Sequence, residues 1–499
     1  MSLWATKSIT ELRAQADEVN DRSLKRSLGA WGLTALGVGA IIGAGIFVLT
    51  GQAAALHAGP AVPISMMLVG IACAFAGLCY AEMAAAVPIA GSAYTYSYAT
   101  MGELVAWIIG WDLVLEYAAG AATVGVGWSG HLVSLLNQLG IHLPANLTNA
   151  PTQYCTGGQV AAGVAGCLHP GFNATGALIN APAIFIVALM SAVLVIGIKE
   201  SASVNNLIVL LKVTIILLIV FVGIRHLNPD NWKPFIPPNT GEWGTYGWSG
   251  VLRGAGLVFF AYIGFDAVST AAQESRNPQK DLPIGILGSL AICTLLYIVV
   301  SAVLTGMVPY TELNLPAPMA YAMEKIGAPS WVRLSVDVGA VLGLGSVILV
   351  MLLGQSRVFY SMSRDGLLGK WAGTVHPKFR TPYLSTIFTG IAVGLATGIL
   401  PLQLLGQLVN IGTLLAFVLV CAGVLILRKK RPDLDRPFKT PWVPFVPIMG
   451  IICCLGLMAT LPADTWLRLL VWLAIGFIIY FAYGRKHSVL QQQRDGRLK

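Results

Sequence analysis

Two short runs in this chain can do chemistry with main chain alone. Gly43-Ala44-Gly45 sits near the middle of an apolar stretch, Trp31 to Leu56, that also carries Gly37, Gly39 and Gly51. Gly264-Phe265-Asp266 sits at a similar depth in a second apolar stretch, Val251 to Gln273. Each run predicts a broken helix, and a break leaves N–H groups on one half-helix and C=O groups on the other without partners. The N-terminal side carries roughly +0.5 of a charge and suits a carboxylate. The C-terminal side suits an ammonium group. Two crossed breaks therefore make a main-chain clamp for a solute with both charges on one carbon. The expected carboxylate contacts are the N–H groups of Ala44, Gly45 and Ile46, opened by Gly43. The expected ammonium contacts are carbonyls near Phe260, Ala261 and Ile263. For Gly39 to Gly43 alone, close helix packing by small residues is the competing explanation.

Side chains inside apolar stretches come next. Lys212 lies within Leu-Leu-Lys-Val-Thr-Ile-Ile-Leu. A lysine at the centre of a membrane helix costs about 2.5–3.5 kcal/mol on insertion scales. Taking an amine out of water disfavours its charged form, so such a group can exchange a proton near neutrality. When charged, it can neutralise orphan carbonyls of the first break, the task a bound sodium ion performs in related designs. Snorkelling is the alternative, but Lys212 lies about 12 Å from the near end of its span at helical rise, beyond a lysine stem. Asp112 and Glu116 are four apart and share a helix face. Glu116 with Lys212, through water or another polar group, and Asp266 with Tyr297 are the expected pairs. Asp337 is a further intramembrane carboxylate, while Glu82 and Asp112 fit a solvated surface position equally well. Phe260 can cap the solute as a gate, and Met351 can line the pocket for its side chain; core packing is the alternative for both.

These groups need apolar elements to position them, and the composition supplies them. Of 499 residues, 56% are hydrophobic and 11% charged, against about 25% charged in a soluble globular protein; mean hydropathy is +0.74. Twelve runs reach the roughly 20 residues needed to span a bilayer: about 32–56, 62–87, 103–136, 178–198, 203–225, 250–273, 283–308, 331–362, 382–400, 403–427, 442–461 and 465–484. The two breaks fall in spans one and six, so two five-helix halves follow, with an odd span count that inverts one half relative to the other. The divisions are 1–30, an N-terminal segment; 31–225, the first repeat; 226–428, the second repeat; 429–484, two added helices; and 485–499, a tail. The expected fold class is thus an all-α membrane protein of twelve transmembrane helices, with helices 1 and 6 unwound mid-membrane.

The net charge of +9 does not point to nucleic acid. With the N-terminus placed in the cytoplasm, 24 of 31 Lys and Arg residues fall in cytoplasmic segments, and the outer loop 137–177 has none. This is the positive-inside bias. The expected location is the plasma (bacterial inner) membrane, with both termini cytoplasmic and lipid around the spans. No cleavable leader is visible, because the first apolar run is too long; residues 8–28 read either as an amphipathic helix on the membrane surface or as a mobile tail. Of eight cysteines, Cys155 and Cys167 share the outer loop and are candidates for a disulfide. Asn146-Leu-Thr and Asn173-Ala-Thr are acceptor sequences for glycosylation in a host that glycosylates. The seven histidines form no His-x-x-x-His pair, and no Walker A run occurs, so neither a zinc-peptidase site nor ATP drive is supported. No Gly-x-Ser-x-Gly elbow occurs in a sheet-like context. No metal site, cofactor or enzymatic activity is expected.

Several long runs resemble one family. Gly-Val-Gly-Ala-Ile-Ile-Gly-Ala-Gly-Ile-Phe-Val-Leu-Thr-Gly (37–51) resembles helix 1 of the amino acid–polyamine–organocation transporters. Residues 259–286, 91–98 (Gly-Ser-Ala-Tyr-Thr-Tyr-Ser-Tyr), 110–117 (Gly-Trp-Asp-Leu-Val-Leu-Glu-Tyr) and 357–368 are similar to the cationic amino acid transporter branch, in its bacterial twelve-helix form. The resemblance implies a five-plus-five inverted repeat of the LeuT-like kind, alternating access, and amino acid uptake driven by protons, the proton being the coupling ion. It carries the carboxylate site onto Ala44 to Ile46, the ammonium site onto Phe260, Ala261 and Ile263, proton coupling onto Lys212, and a polar network onto Glu116, Asp266 and Tyr297. Ala44 departs from the Thr or Ser many relatives carry, removing a hydroxyl there. The expectation is a proton-coupled permease for small neutral L-amino acids such as alanine, with arginine and lysine as a second class. An obligate exchanger and a non-transporting amino acid sensor stay open, and no partner subunit can be read.

Overall fold

The computed structural model describes residues 3–9, 28–87, 92–155, 160, 168–197 and 202–495. Most of residues 8–28, including the expected surface helix, therefore lies outside the described residues. The α-helices of six residues or more, in chain order, are α1 (Ala30–Ile41), α2 (Val62–Ala86), α3 (Ser92–Thr100), α4 (Glu103–Gln138), α5 (Ala181–Ile196), α6 (Ala202–Ile224), α7 (Gly247–Val258), α8 (Pro278–Met307), α9 (Pro318–Lys325), α10 (Ser330–Arg364), α11 (Tyr383–Ile399), α12 (Leu402–Lys430), α13 (Phe445–Thr460), α14 (Ala463–Ile479) and α15 (Val489–Arg494). Among the described residues, eight helical stretches are long and apolar enough to cross a membrane. One of them, Ala30–Ala86, contains both α1 and α2, and α5, α11 and α13 are shorter apolar helices. This is an all-α membrane architecture. The loop between α4 and α5 adds a small antiparallel ribbon, β1 (Thr152–Cys155) against β2 (Gly171–Ala174), that apolar periodicity does not announce.

The helices show why the medium is lipid. On α6, Val209, Lys212, Ile215, Ile216 and Ile219 are buried at helical spacing. The opposite face exposes Leu207, Leu210, Leu217, Phe221 and Ile224. A helix apolar all round with one face uncovered belongs against hydrocarbon. Small residues let the buried faces approach closely, as they do in membrane bundles. A Cβ at Gly343 of α10 would stand 3.0 Å from Lys212 Cε, and one at Gly339 would overlap Ile215.

Both termini lie at one end of the bundle. Lys7 N donates to Tyr98 O at 3.2 Å, Glu103 N to Ala5 O at 3.0 Å, and Arg494 reaches Thr6 O at 3.4 Å. The buried Glu103 carboxylate accepts from Tyr98 and Tyr480 hydroxyls, each at 2.9 Å, and from Ser488. Glu82 is not a solvated surface charge: it is fully buried, with Arg428 at 2.7 Å and Arg436 at 3.3 Å. A carboxylate taken from water is held only when it is paired in this way. Toward the opposite end, Asp337 is satisfied by His131 at 2.8 Å and by Ser134 and Gln138, each at 2.6 Å. Cys155 is buried and disulfide-bonded, while Cys167 lies outside the described residues.

Candidate functional site

The first break follows the glycines. Helix α1 stops at Ile41; Ile42 turns to extended backbone (φ −71°, ψ 97°). Helical structure resumes at Gly45 with wide π-helical turns through Leu49, continued to Ala58. Such turns are rare and cluster at functional sites. Phe47 N meets Gly43 O at 3.3 Å, and Thr50 Oγ1 donates to Gly45 O at 3.0 Å. Ala44, Gly45 and Ile46 therefore supply the opening N–H groups of the second half-helix, where an anion is favoured.

The second break begins earlier than Gly-Phe-Asp suggests. Helix α7 ends at Val258, Phe259–Tyr262 tighten into a 3₁₀ turn, Ile263 is extended, and Asp266–Glu274 continue as 3₁₀ helix. Gly264 has φ +125°, open to glycine alone among common residues. A Cβ there would stand 2.8 Å from Ala40 C. At Gly45 a Cβ would stand 2.2 Å from Ala261 Cα. The two unwound segments therefore cross in direct backbone contact, with Gly45 against Ala261 and Gly264 against the end of α1.

Three side chains tie off this crossing. Lys212 Nζ, buried on α6, donates to Gly39 O at 2.7 Å and Ile42 O at 3.0 Å. Tyr297 of α8 donates to Ile41 O at 2.8 Å. Together they occupy carbonyls that the end of α1 leaves open. Asp266 accepts from Gly264 N at 3.2 Å. One expected pairing is thus corrected. Tyr297 spends its proton on Ile41 O and does not serve Asp266. Glu116 lies with Thr413 and Asp266, while the hydrogen bonds of Lys212 go to main chain. The direct bonds of the lysine go to the orphan carbonyls because these lie at the end of the helix it packs against. Sequence reading also missed Asn410 of α12, whose Nδ2 donates to Gly256 O and Leu257 O. An asparagine within the long apolar helix Leu402–Lys430 was the available signal.

The pocket-side residues come from α10 and α4. Gly343, Val347 and Met351 are four apart on α10 and face, in turn, Lys212, Gly43 and Gly120. Val347 is closer to the break than Met351: a Cβ on Gly43 would meet it at 3.3 Å. Phe260 is buried in the 3₁₀ turn. The rings of Tyr80, Phe265 and Phe417 meet edge-to-face or tilted with centroids 5.0–5.7 Å apart, and Phe259 meets Phe417 edge-on at 5.6 Å. Asp112 is buried, not solvated, and neither of its oxygens has a hydrogen-bond partner; Glu116 Oε1 also has none. A cavity of about 490 Å³ lies elsewhere, toward the ribbon-bearing end, lined by Ser134, Asn137, Gln138, Asn180, Tyr321 and Arg333 among others. The crossing itself is shut, with Gly45, Ala261 and Phe260 all buried.

Known proteins are similar to this chain over most of its length. The family described as amino acid permease matches residues 28–482. The chain is 49% identical over 492 residues to a branched-chain amino acid permease, BcaP, of Bacillus subtilis (strain 168), covering 98% of this chain and 99% of that one. It is 46% identical over 491 residues to a methylthioribose transporter of the same organism, covering 98% and 100%. A chloroplastic cationic amino acid transporter 9 of Arabidopsis thaliana is 39% identical over 459 residues, covering 91% and 75%. All three are named as permeases or transporters, not as enzymes.

Proposed function

The chain belongs to the amino acid permease family, and we propose that it imports L-amino acids by alternating access, coupled to protons through Lys212. The observation that carries this reading is the crossing of two unwound segments, Gly45 against Ala261, with Lys212 bonded to the carbonyls that the first break frees. The substrate carboxylate sits on the N–H groups of Ala44, Gly45 and Ile46. Its ammonium sits on carbonyls of the Phe260–Ile263 turn. Val347 and Met351 bound its side chain, which favours neutral aliphatic amino acids, from alanine to the branched-chain class named for one relative. Arginine and lysine are a weaker class, in keeping with relatives named as cationic amino acid transporters. When Lys212 loses its proton, the carbonyls of Gly39 and Ile42 exchange a charged donor for the weaker N–H groups of a neutral amine, and the hold on the end of α1 loosens.

The proposed topology is twelve spans in a five-plus-five inverted repeat. Ala30–Ala86 then crosses twice, and α5, α11 and α13 cross as short helices. Both termini face the cytoplasm of a bacterial cell. The lysines and arginines clustered at the terminal-bearing end support that orientation.

A second reading has its own support: a relative 46% identical over nearly the whole chain is named a methylthioribose transporter. A neutral thiosugar has no ammonium for the carbonyl side of the clamp. Proteoliposome uptake of labelled leucine, challenged with excess valine, alanine, arginine and methylthioribose, separates the two. The amino acid reading expects valine and alanine to compete and methylthioribose not to. Uptake of labelled methylthioribose with no uptake of leucine would replace it with the second.

A further inference from the structure

A second side chain does for the second broken span what Lys212 does for the first. Asn410, in α12, is fully buried. Its Nδ2 donates to Gly256 O at 2.8 Å and to Leu257 O at 2.9 Å. Those carbonyls belong to the last turn of α7, where a helix has no partners of its own to offer. Lys212 Nζ meets Gly39 O and Ile42 O at the matching end of α1. One donor comes from α6 and the other from α12, and each serves a helix that stops just before the crossing. They differ in charge: an ammonium can give up its proton, whereas a carboxamide stays a donor at every physiological pH. Asn410 Oδ1 has no hydrogen-bond partner. A buried oxygen left unpaired is a cost that an apolar side chain of the same shape would avoid, so the residue's contribution lies in its two N–H donors.

We propose that Asn410 is a positioning residue for the ammonium side of the substrate site. It fixes, independently of pH, the carbonyl array that runs from Gly256 into the Phe259–Tyr262 turn. Proton exchange then acts on the first broken span alone, and the second is the constant wall against which the first moves. This rests on the reading that the crossing holds an amino acid. The ionisable groups on elements packed around α12 include Asp112 and Glu116 of α4, near Gly412 and Thr413, with Glu103 and Tyr117 on the same helix, Glu82 and Tyr80 of α2, Tyr94, Tyr96 and Tyr98 of α3, and Asp266 past the second break. Farther along are Arg253 of α7, which donates to Thr460 O, and the Asp464–Arg468 pair of α14. The hydrogen bonds of Asn410 go to main chain alone.

The test is leucine uptake by proteoliposomes between pH 5 and 8, with KM and Vmax measured for the unaltered chain, Asn410→Asp, Asn410→Leu and Asn410→Gln. Asn410→Asp keeps the shape and makes the donor titratable: the protonated acid offers an O–H to the carbonyls, and the carboxylate repels them. Relative to the unaltered chain, its KM should be raised about threefold at pH 5, where one O–H replaces two N–H donors, and roughly tenfold by pH 8, the loss expected for about two hydrogen bonds. Asn410→Leu should raise KM roughly tenfold at every pH, and Asn410→Gln should recover part of the loss. A normal KM in Asn410→Leu, or a pH-independent KM ratio in Asn410→Asp, overturns the proposal; if Asn410→Leu does not fold, Asn410→Asp decides. Should the unaltered chain not take up leucine, the carrier reading fails instead. Equilibrium binding of leucine to the detergent-solubilised variants then tests Asn410 by the same comparison, with Kd in place of KM.

Discussion

Replacing Gly45 with alanine is the sharpest perturbation of the crossing. The added methyl carbon would stand 2.2 Å from Ala261 Cα, 2.4 Å from Ala261 Cβ and 2.9 Å from Ala261 N. Two of those atoms are main chain, so no side-chain rotation relieves the overlap. Ordinary contact begins at 3.4 Å, and the two unwound segments must part by about an ångström or more to accept the methyl. Overpacking typically costs about 1–3 kcal/mol, and an overlap with backbone belongs at the top of that range. About 3 kcal/mol corresponds to roughly a hundredfold loss of the closed crossing. The assay is leucine binding and uptake by Gly45→Ala, with Gly406→Ala as a control, since a Cβ at Gly406 would meet Leu49 at an ordinary 3.7 Å. Gly45→Ala should lose about two orders of magnitude in affinity while the control stays near normal. Normal affinity in Gly45→Ala would mean that the two segments do not meet in the substrate-bound protein, and the clamp would fall with it.

Other expectations follow from single contacts. Lys212→Met removes the donor to Gly39 O and Ile42 O; leucine counterflow should persist at a reduced rate while an imposed proton gradient no longer accelerates uptake, and acceleration that survives would remove Lys212 from coupling. Glu312 is held below its ordinary value of 4.5 by the Tyr321 hydroxyl and by Lys325. A depressed carboxylate stabilises above its unfolded value, and that contribution is lost as pH falls through the folded value. Glu312→Gln should therefore melt slightly earlier than the unaltered chain at pH 7, and the difference should vanish below about pH 4; a difference that persists in acid would assign the effect to packing. Cys73, Cys79, Cys293, Cys421, Cys453 and Cys454 are free thiols. Alkylation of denatured protein should label six cysteines before reduction and eight after, and eight at the outset would exclude a bridge between Cys155 and Cys167.

Much of the architecture could be read from composition, because lipid imposes one simple rule on helices. Ser330–Arg364 and Leu402–Lys430 lie within three residues of the apolar runs that announce them. Lys212 stood out because a lone lysine in an apolar helix must be balanced by something, and the first break offered its carbonyls. The partners were harder. The spacing of Asp112 and Glu116 places them on one face of α4 but gives no distance to α6, so it does not fix which carboxylate answers Lys212. Tyr297 and Asp266 looked complementary, yet each is nearer to unsatisfied main chain than to the other. Asn410 carries no charge and drew no attention, although its task matches that of Lys212. The second break centres on Ile263 and Gly264, at the edge of the Gly-Phe-Asp run, but the 3₁₀ turn of Phe, Phe, Ala and Tyr that leads into it has no glycine to mark it. Val347 went unnoticed because one valine among many apolar residues of α10 says nothing about which face meets Gly43.

The central claim is that proton exchange at a crossing of two broken spans drives amino acid import, and one measurement addresses it most directly. Proteoliposomes containing the purified chain and no internal amino acid are given labelled leucine, with and without an imposed inward proton gradient. The account predicts accumulation above the external concentration only when the gradient is present, and its loss in Lys212→Met. Uptake that requires internal amino acid and ignores the gradient would contradict it.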